Sequence, residues 1–292
     1  MSIVMSRLAD SIRGCIIASP KRKLVVADLS NIEGRVLAWL GKEQWKIEAF
    51  EAYDRGAGPD LYKLAYAKSF GKRPEDVTKD ERQIGKVQEL ACGYQGGLGA
   101  FNTMSSAYGL QFSDDRVREI VRAWRQAHTQ TVSLWYEAEE MAILATGAPG
   151  RTYYTNAGRI GFRRDKGWLR MLLPSGRSLC YPSPKVEDGK LSYMGIDQYT
   201  RKWDRLPTYG GKLIENACQA VARDVLARGM LAAEAAGYEI VLSVHDEIIA
   251  ETPDTDEYTV DQLAAIMATP PAWAEGLPLA AAGFEASRYR KD

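Results

Sequence analysis

Two short apolar runs that end or turn on an acid stand at opposite ends of this chain, and most of what separates them reads as helix or hairpin. Near the start, Leu24–Asp28 (LVVAD) has the composition of a buried strand and terminates on a carboxylate. Near the end, Glu239–Val244 and Glu247–Glu251 read as two strands around a tight His245–Asp246 turn. After the first run, Ile32, Val36, Leu37 and Leu40 fall at helical spacing until Gly41. Asp60–Phe70, Glu81–Gly93 and the long region Ser113–Thr146 also read as helix, with the cluster Gly93, Gly96, Gly97 and Gly99 breaking the second. Arg151–Tyr209 holds short β-like runs between Gly, Pro, Asp and Asn, and Lys212–Ala236 is one amphipathic helix before Gly237. This order predicts an α+β fold, an antiparallel sheet with flanking helices and an inserted helical subdomain.

With 292 residues and 46% hydrophobic side chains, the chain can bury a sizeable core. No apolar run reaches the ~18 residues of a membrane span, and Met1–Arg13 lacks a secretory apolar region. No membrane partner and a cytoplasmic location are expected. Cys15, Cys92, Cys180 and Cys218 form no CxxC pair and the histidines are His128 and His245, which argues against structural zinc and for buried free thiols. Lys plus Arg and Asp plus Glu both total 38, so any nucleic-acid binding must rest on local charge. One basic stretch exists: Arg159, Arg163, Arg164, Lys166, Arg170 and Arg177 accompany a lone Asp165. Such a stripe suits a phosphate backbone or a solvated hairpin equally.

The chemistry concentrates in two constellations. Asp28 and Asp246 sit at the ends of apolar strands, where paired carboxylates can hold two Mg²⁺ ions, with substrate phosphates completing the coordination. Arg82, Lys86, Leu90 and Tyr94 follow each other by four residues, and such steps drift only about 40° around a helix. Two cations and an aromatic on one face suit a triphosphate with a base beyond it. The competing reading is a solvated helix face with Tyr94 in the core.

Taken in order, these segments resemble DNA polymerase family A. DLSNIEGRVLAWL (Asp28–Leu40) is similar to the family's first palm motif, RQIGKVQELACGY (Arg82–Tyr94) to its fingers motif, and SVHDEI (Ser243–Ile248) to its last palm motif. IRGCIIASP before the first motif and LPLAAAGFEASRY near the end resemble the run-in and the closing strand. The resemblance implies a palm of residues 1–59 and 147–292 enclosing fingers at 60–146. It implies a DNA polymerase that transfers a dNMP to a primer 3′-OH, with primer–template DNA and dNTPs as partners. The cofactor it implies is a pair of Mg²⁺ ions, with Mn²⁺ as an alternative.

Residue by residue, Asp28 and Asp246 match the metal-binding aspartates, and Glu33 the glutamate that excludes a ribose 2′-OH. Arg82 and Lys86 match the triphosphate cations, with Lys86 also placed to protonate the leaving pyrophosphate. Tyr94 matches the aromatic near the templating base, and His245 and Glu247 the neighbours of the catalytic aspartate that support the primer end. Gln219 matches a minor-groove reader, Arg177 is expected on DNA, and Arg35 matches a buried partner of the site. Departures are Leu90 in place of an aromatic, Tyr62 of histidine, Asn31 of glutamine and Gln95 of glycine. Gly211 and Glu215 stand where the family often has Arg and Asn.

Family members carry a thumb and often an exonuclease before the first palm motif, and few residues precede Asp28 here. The expectation is therefore a split or minimal polymerase, with a second chain supplying thumb or exonuclease and docking on an apolar patch around Ile3–Ile17. LLPSGR (Leu172–Arg177) and TYGGK (Thr208–Lys212) resemble bacteriophage members, which would put the protein in a host-cell cytoplasm. The alternative function is a non-catalytic module that binds primer–template or a replication protein. A reverse transcriptase, an RNA polymerase and a two-metal hydrolase share parts of this logic, but Glu33 and the fingers motif favour deoxynucleotide transfer.

Overall fold

The computed structural model describes residues 11–290. In chain order, β1 (Arg22–Leu29) is followed by α1 (Ile32–Gly41), α2 (Gln44–Asp54), α3 (Leu61–Phe70), α4 (Lys79–Cys92), α5 (Leu98–Ala107), α6 (Asp114–Ala127) and α7 (Thr129–Gly147). Then come β2 (Thr152–Tyr154), β3 (Gly161–Asp165), β4 (Trp168–Leu172), β5 (Ser178–Pro182), β6 (Lys185–Glu187), β7 (Lys190–Ile196) and β8 (Trp203–Thr208). The chain continues through α8 (Gly210–Ala235), β9 (Glu239–Val244), β10 (Glu247–Pro253), α9 (Val260–Met267) and β11 (Ala281–Ala286). The fold is α+β, as the element order implies. It divides into two compact units: the described residues up to Ile32 with Ala222–Glu275 and those from Leu279 on, and Glu33–Val221 with Gly276–Pro278.

The first unit is built on a four-stranded antiparallel sheet in the order β11-β1-β10-β9. Leu24, Val25, Val26 and Ala27 of central β1 are all buried, which requires cover on both faces and explains why this strand is an unbroken apolar run. Leu24, Val26, Ile249 and Tyr289 form one cluster, with Ile16, Val244 and Phe284 packed on it. Thr259 and Gln262 cap α9 reciprocally, and α9 packs on β1 and β11. From the interval Ile3–Ile17, residues before 11 lie outside the described ones, while Ile12 and Ile17 are exposed.

The second unit holds α1 to α7, the first part of α8, and two antiparallel sheets, β2-β3-β4-β5 and β6-β7-β8. Asp60 caps α3 by accepting from the Tyr62 and Lys63 N–H groups, and Thr78 with Glu81 forms a capping box on α4. α3 and α4 approach so closely that a Cβ on Gly85 would lie 2.1 Å from the Tyr62 carbonyl oxygen.

Several sequence expectations need correction here. Ser113–Thr146 is two helices, because the backbone at His128 leaves the helical region (φ −120°, ψ 55°). His128 is fully buried there, with Nδ1 2.9 Å from the Trp124 carbonyl oxygen and Nε2 3.1 Å from Glu89 Oε1. α2 and α5 were not legible as helices, the latter because its glycine-rich approach reads as a breaker. All four cysteines are free, but Cys15 and Cys180 are exposed and only Cys92 and Cys218 are buried. Among the described residues no helix is long and apolar enough to cross a membrane.

Candidate active site

In the first unit, pairing of β1 with β10 sets Asp28 opposite Glu247, and the Leu29 N–H donates to the Asp246 carbonyl oxygen at 3.1 Å. Asp246 itself lies in the two-residue turn between β9 and β10. The first turn residue, His245, has φ 55°, the left-handed geometry that a two-residue hairpin demands. The turn thus lifts Asp246 to the sheet end where Asp28 stands. Arg13, Asp28, His245, Asp246, Glu247 and Tyr289 line one cleft of about 540 Å³.

Electrostatics in this cleft are unfavourable for its acids. Burial, then the negative charges of Asp246 and Glu247, raise the Asp28 pKa above its ordinary value. Glu247 accepts a hydrogen bond from the Tyr289 hydroxyl. Among the described residues neither Asp28 nor Asp246 has an ion-pair partner. Nor do three or more His, Cys, Asp or Glu side chains converge as a complete metal cage there. Two crowded carboxylates with no ion-pair partner among the described residues suit a divalent cation that takes few protein oxygens and leaves room for substrate oxygens.

In the second unit, α4 carries Arg82 and Lys86 one turn apart. Arg82 donates to Asp60 at 2.8 Å and stacks over Tyr62 at 5.3 Å. Although burial opposes it, the hydrogen bond from Arg82 and the backbone N–H groups of Lys63 and Tyr62 hold the Asp60 pKa below its ordinary value. The Lys86 ammonium lies 4.7 Å from the centre of the Tyr108 ring, and Leu90, one turn on, is exposed. The four-residue spacing predicts Tyr94 on the same helix face, but it lies beyond the helix. α4 ends at Cys92, and Tyr94 sits in the following turn, its hydroxyl donating to Glu33 Oε2 at 3.4 Å. Burial, then Cys218 and Glu33, raise its pKa.

The remaining predicted residues separate. Arg35 is buried and forms a bidentate pair with Asp54, at 2.6 and 2.7 Å, over the Phe50 ring. Gln219 is exposed on α8, and Arg177 Nη2 donates to the carbonyl of adjacent Ala220 at 3.0 Å, so these two share one locality. Asn31 is exposed at φ 51°. Two of the departures from the motif interlock. Gln95 takes φ 66°, a conformation that favours glycine, and its Oε1 accepts from the Gly211 N–H at 2.8 Å. A Cβ on Gly211 would lie 2.4 Å from the Tyr94 carbonyl oxygen, so a larger side chain there is incompatible with this turn.

A family model for DNA polymerase family A matches residues 3–147. The chain is 40% identical over 98% of its length to a DNA polymerase of Bacillus phage SP02. The chain belongs to DNA polymerase family A. It is also 26% identical over 80% of its length to DNA polymerase I of Streptococcus pneumoniae (serotype 4, strain ATCC BAA-334 / TIGR4). It spans 44% of the phage protein and 22% of the streptococcal one. Its fold is similar to the POL domain of Pol1 from M. smegmatis, solved in complex with DNA primer–template and dNTP. That match has a TM-score of 0.61 at 18% identity and covers 95% of this chain and 42% of that one.

The family A motifs account for the residues named from sequence, but not for those that hold them in place. Asp60, Asp54, Tyr108 and Tyr289 escape sequence reading because each lies outside the motif it serves. Only Asp60 left a signal, as an acid directly before a helical run.

Proposed function

We propose that this chain catalyses template-directed transfer of a dNMP from a dNTP to a primer 3′-OH, with residues 60–146 as fingers and residues 1–59 and 147–292 as palm. One observation carries the reading: Asp28 and Asp246 meet at the end of a rigid sheet with no ion-pair partner among the described residues. Asp28 and Asp246 are the residues that would hold two Mg²⁺ ions. When bound, such ions acidify the attacking hydroxyl and neutralise charge at the reacting phosphate. Glu247, held by Tyr289, and His245 frame the same cleft and support the primer end.

Arg82 and Lys86 bind the incoming triphosphate, with Tyr62 stacked beside Arg82. On this account Asp60 is a placeholder that keeps Arg82 extended until phosphate oxygens replace its carboxylate. Lys86 neutralises charge on the leaving pyrophosphate and can give it a proton. Leu90 offers the sugar an aliphatic surface, Glu33 bars the 2′-OH, and Tyr94 stands near the templating base. Arg177 and Gln219 contact the duplex, while Arg35 fixes α1 through Asp54, and Asn31 takes the turn that leads into that helix.

Primer extension by the purified chain with Mg²⁺ and dNTPs tests the reading. Asp28→Ala and Asp246→Ala should each remove more than about 99% of incorporation. A folded wild-type chain that binds primer–template and incorporates nothing, alone or with a thumb-bearing second chain, would overturn it in favour of a binding module.

A further inference from the structure

The β7–β8 hairpin shows solvent a set of side chains for which packing gives no reason. β7 and β8 pair from Leu191↔Thr208 to Ile196↔Trp203. Alternation sends Leu191, Tyr193, Leu206 and Thr208 to one face. There Leu191 and Thr208 are buried, and Tyr193 meets Tyr181 edge-on at 4.9 Å. The opposite face, where a solvated hairpin carries polar residues, presents Ile196 and Trp203 side by side, 60% and 61% exposed. Beyond them Tyr199 is 95% exposed at the tip.

That exposure is built in. Asp197 Oδ1 accepts from the Tyr199 and Thr200 N–H groups at 3.0 and 2.7 Å. The Asp197 carbonyl accepts from the Arg201 N–H, and the Asp197 N–H donates to the Lys202 carbonyl, both at 2.9 Å. A defined turn therefore holds Tyr199 in water. Next to it, Arg201 and Lys202 are exposed and have no ion-pair partner among the described residues. Of the nearby acids, Asp197 is occupied by the turn, and Asp204 accepts from the Arg205 N–H at 2.7 Å.

Two exposed aromatic faces on either side of two unpaired cations match a strand whose bases are unstacked and whose phosphates run between them. A duplex hides its base faces, and an apolar protein partner would leave both cations without counter-charge. We propose that the tip of the β7–β8 hairpin is a binding site for single-stranded DNA. Tyr199 and Trp203 stack on bases, and Arg201 and Lys202 take the flanking phosphates. This site shares no residue with those assigned to nucleotide transfer, and it deepens the polymerase reading, on which it rests, by naming where unpaired strand is held.

Fluorescence anisotropy of the full chain with labelled oligo-dT tests the proposal, with 5-iodouracil crosslinking to locate the contact. The double variant Tyr199→Ala/Trp203→Ala should weaken binding by about tenfold or more, while Tyr199→Phe/Trp203→Phe retains it. Arg201→Gln/Lys202→Gln should flatten the dependence of log K on log salt by about 1.4, for two lost phosphate contacts. Forks with an unpaired strand on the template alone or on the displaced strand alone identify which strand the site serves, and hairpin-dependent binding of either supports it. Unchanged oligo-dT affinity in both the alanine and glutamine variants, or crosslinks confined to other segments, would overturn it. Incorporation on a template with a short overhang is read in parallel. Its absence in the wild type alongside normal oligo-dT binding would sink the catalytic reading and leave this one standing.

Discussion

At the scale of single residues, Asp28 is a carboxylate whose surroundings disfavour its charge. Its neutral form is favoured by burial and by the charges of Asp246 and Glu247. Because its folded pKa lies above the ordinary 3.8, the stability it contributes is complete below that pH and lost as pH rises through the raised value. Asp28→Asn should therefore raise Tm at pH 7, leave it unchanged near pH 3, and abolish incorporation. A calorimetric scan at the two pH values checks the sign. On the proposed function, stabilisation with loss of activity is the expected trade. Millimolar Mg²⁺ should raise the Tm of the wild type and not of this variant, since a ligand that binds the folded state shifts the equilibrium toward it.

At the scale of elements, α4 is fixed by Gly85 and Glu89, residues of the fingers motif to which no nucleotide contact was assigned. Gly85 allows α3 to lie against it, and a methyl group there meets the Tyr62 carbonyl at 2.1 Å. Gly85→Ala should destabilise the chain by about 2–3 kcal/mol in urea unfolding and misplace Arg82 relative to Tyr62. On the buried side, Glu89 pairs with Lys46, lies 3.1 Å from His128 Nε2, and accepts from Trp124 Nε1 at 2.9 Å. Burial opposes its charge, but Lys46 and His128 prevail and hold its pKa well below the ordinary value of 4.5. Glu89 accordingly stabilises the fold above that pH, and the contribution disappears as pH falls through the lowered pKa. Glu89→Gln should cost about 3 kcal/mol at pH 7, since it leaves Lys46 buried without its partner, and the deficit should shrink toward pH 3. Denaturant titrations at both pH values measure it.

At the scale of the whole molecule, the four thiols report on both units at once. Burial pushes the Cys92 thiol up to about 12 and raises that of Cys218 as well, whereas Cys15 and Cys180 are exposed. A thiol reagent at pH 8 should titrate two groups in the native chain and four after denaturation. Fast reaction of three or four native thiols would contradict the packing around Cys92 or Cys218. The zero formal charge likewise conceals local asymmetry. Asp28, Asp246 and Glu247 crowd one cleft, while Arg163 and Arg170 face each other across β3 and β4 and share Asp165.

The amino-acid sequence by itself determined the α+β order, the central strand with its terminal acid, the turn that carries Asp246, and the family. These are properties of local pattern: apolar run length, turn residues, and motifs with the same chemistry wherever they occur. The sequence also named Arg82, Lys86, Glu33 and Gln219 without saying what holds them. Tertiary structure alone decided that Tyr94 leaves the α4 helix, since the Gln95 and Gly211 contact joins residues 116 positions apart. It alone broke the long helical region at His128, whose ring is buried against Glu89 and Trp124. It also supplied Asp60, Asp54 and Tyr289 as partners and turned Ile196, Tyr199 and Trp203 toward solvent. Burial and pairing between distant residues depend on how elements pack, and no spacing along the chain encodes which side of a strand the core will occupy.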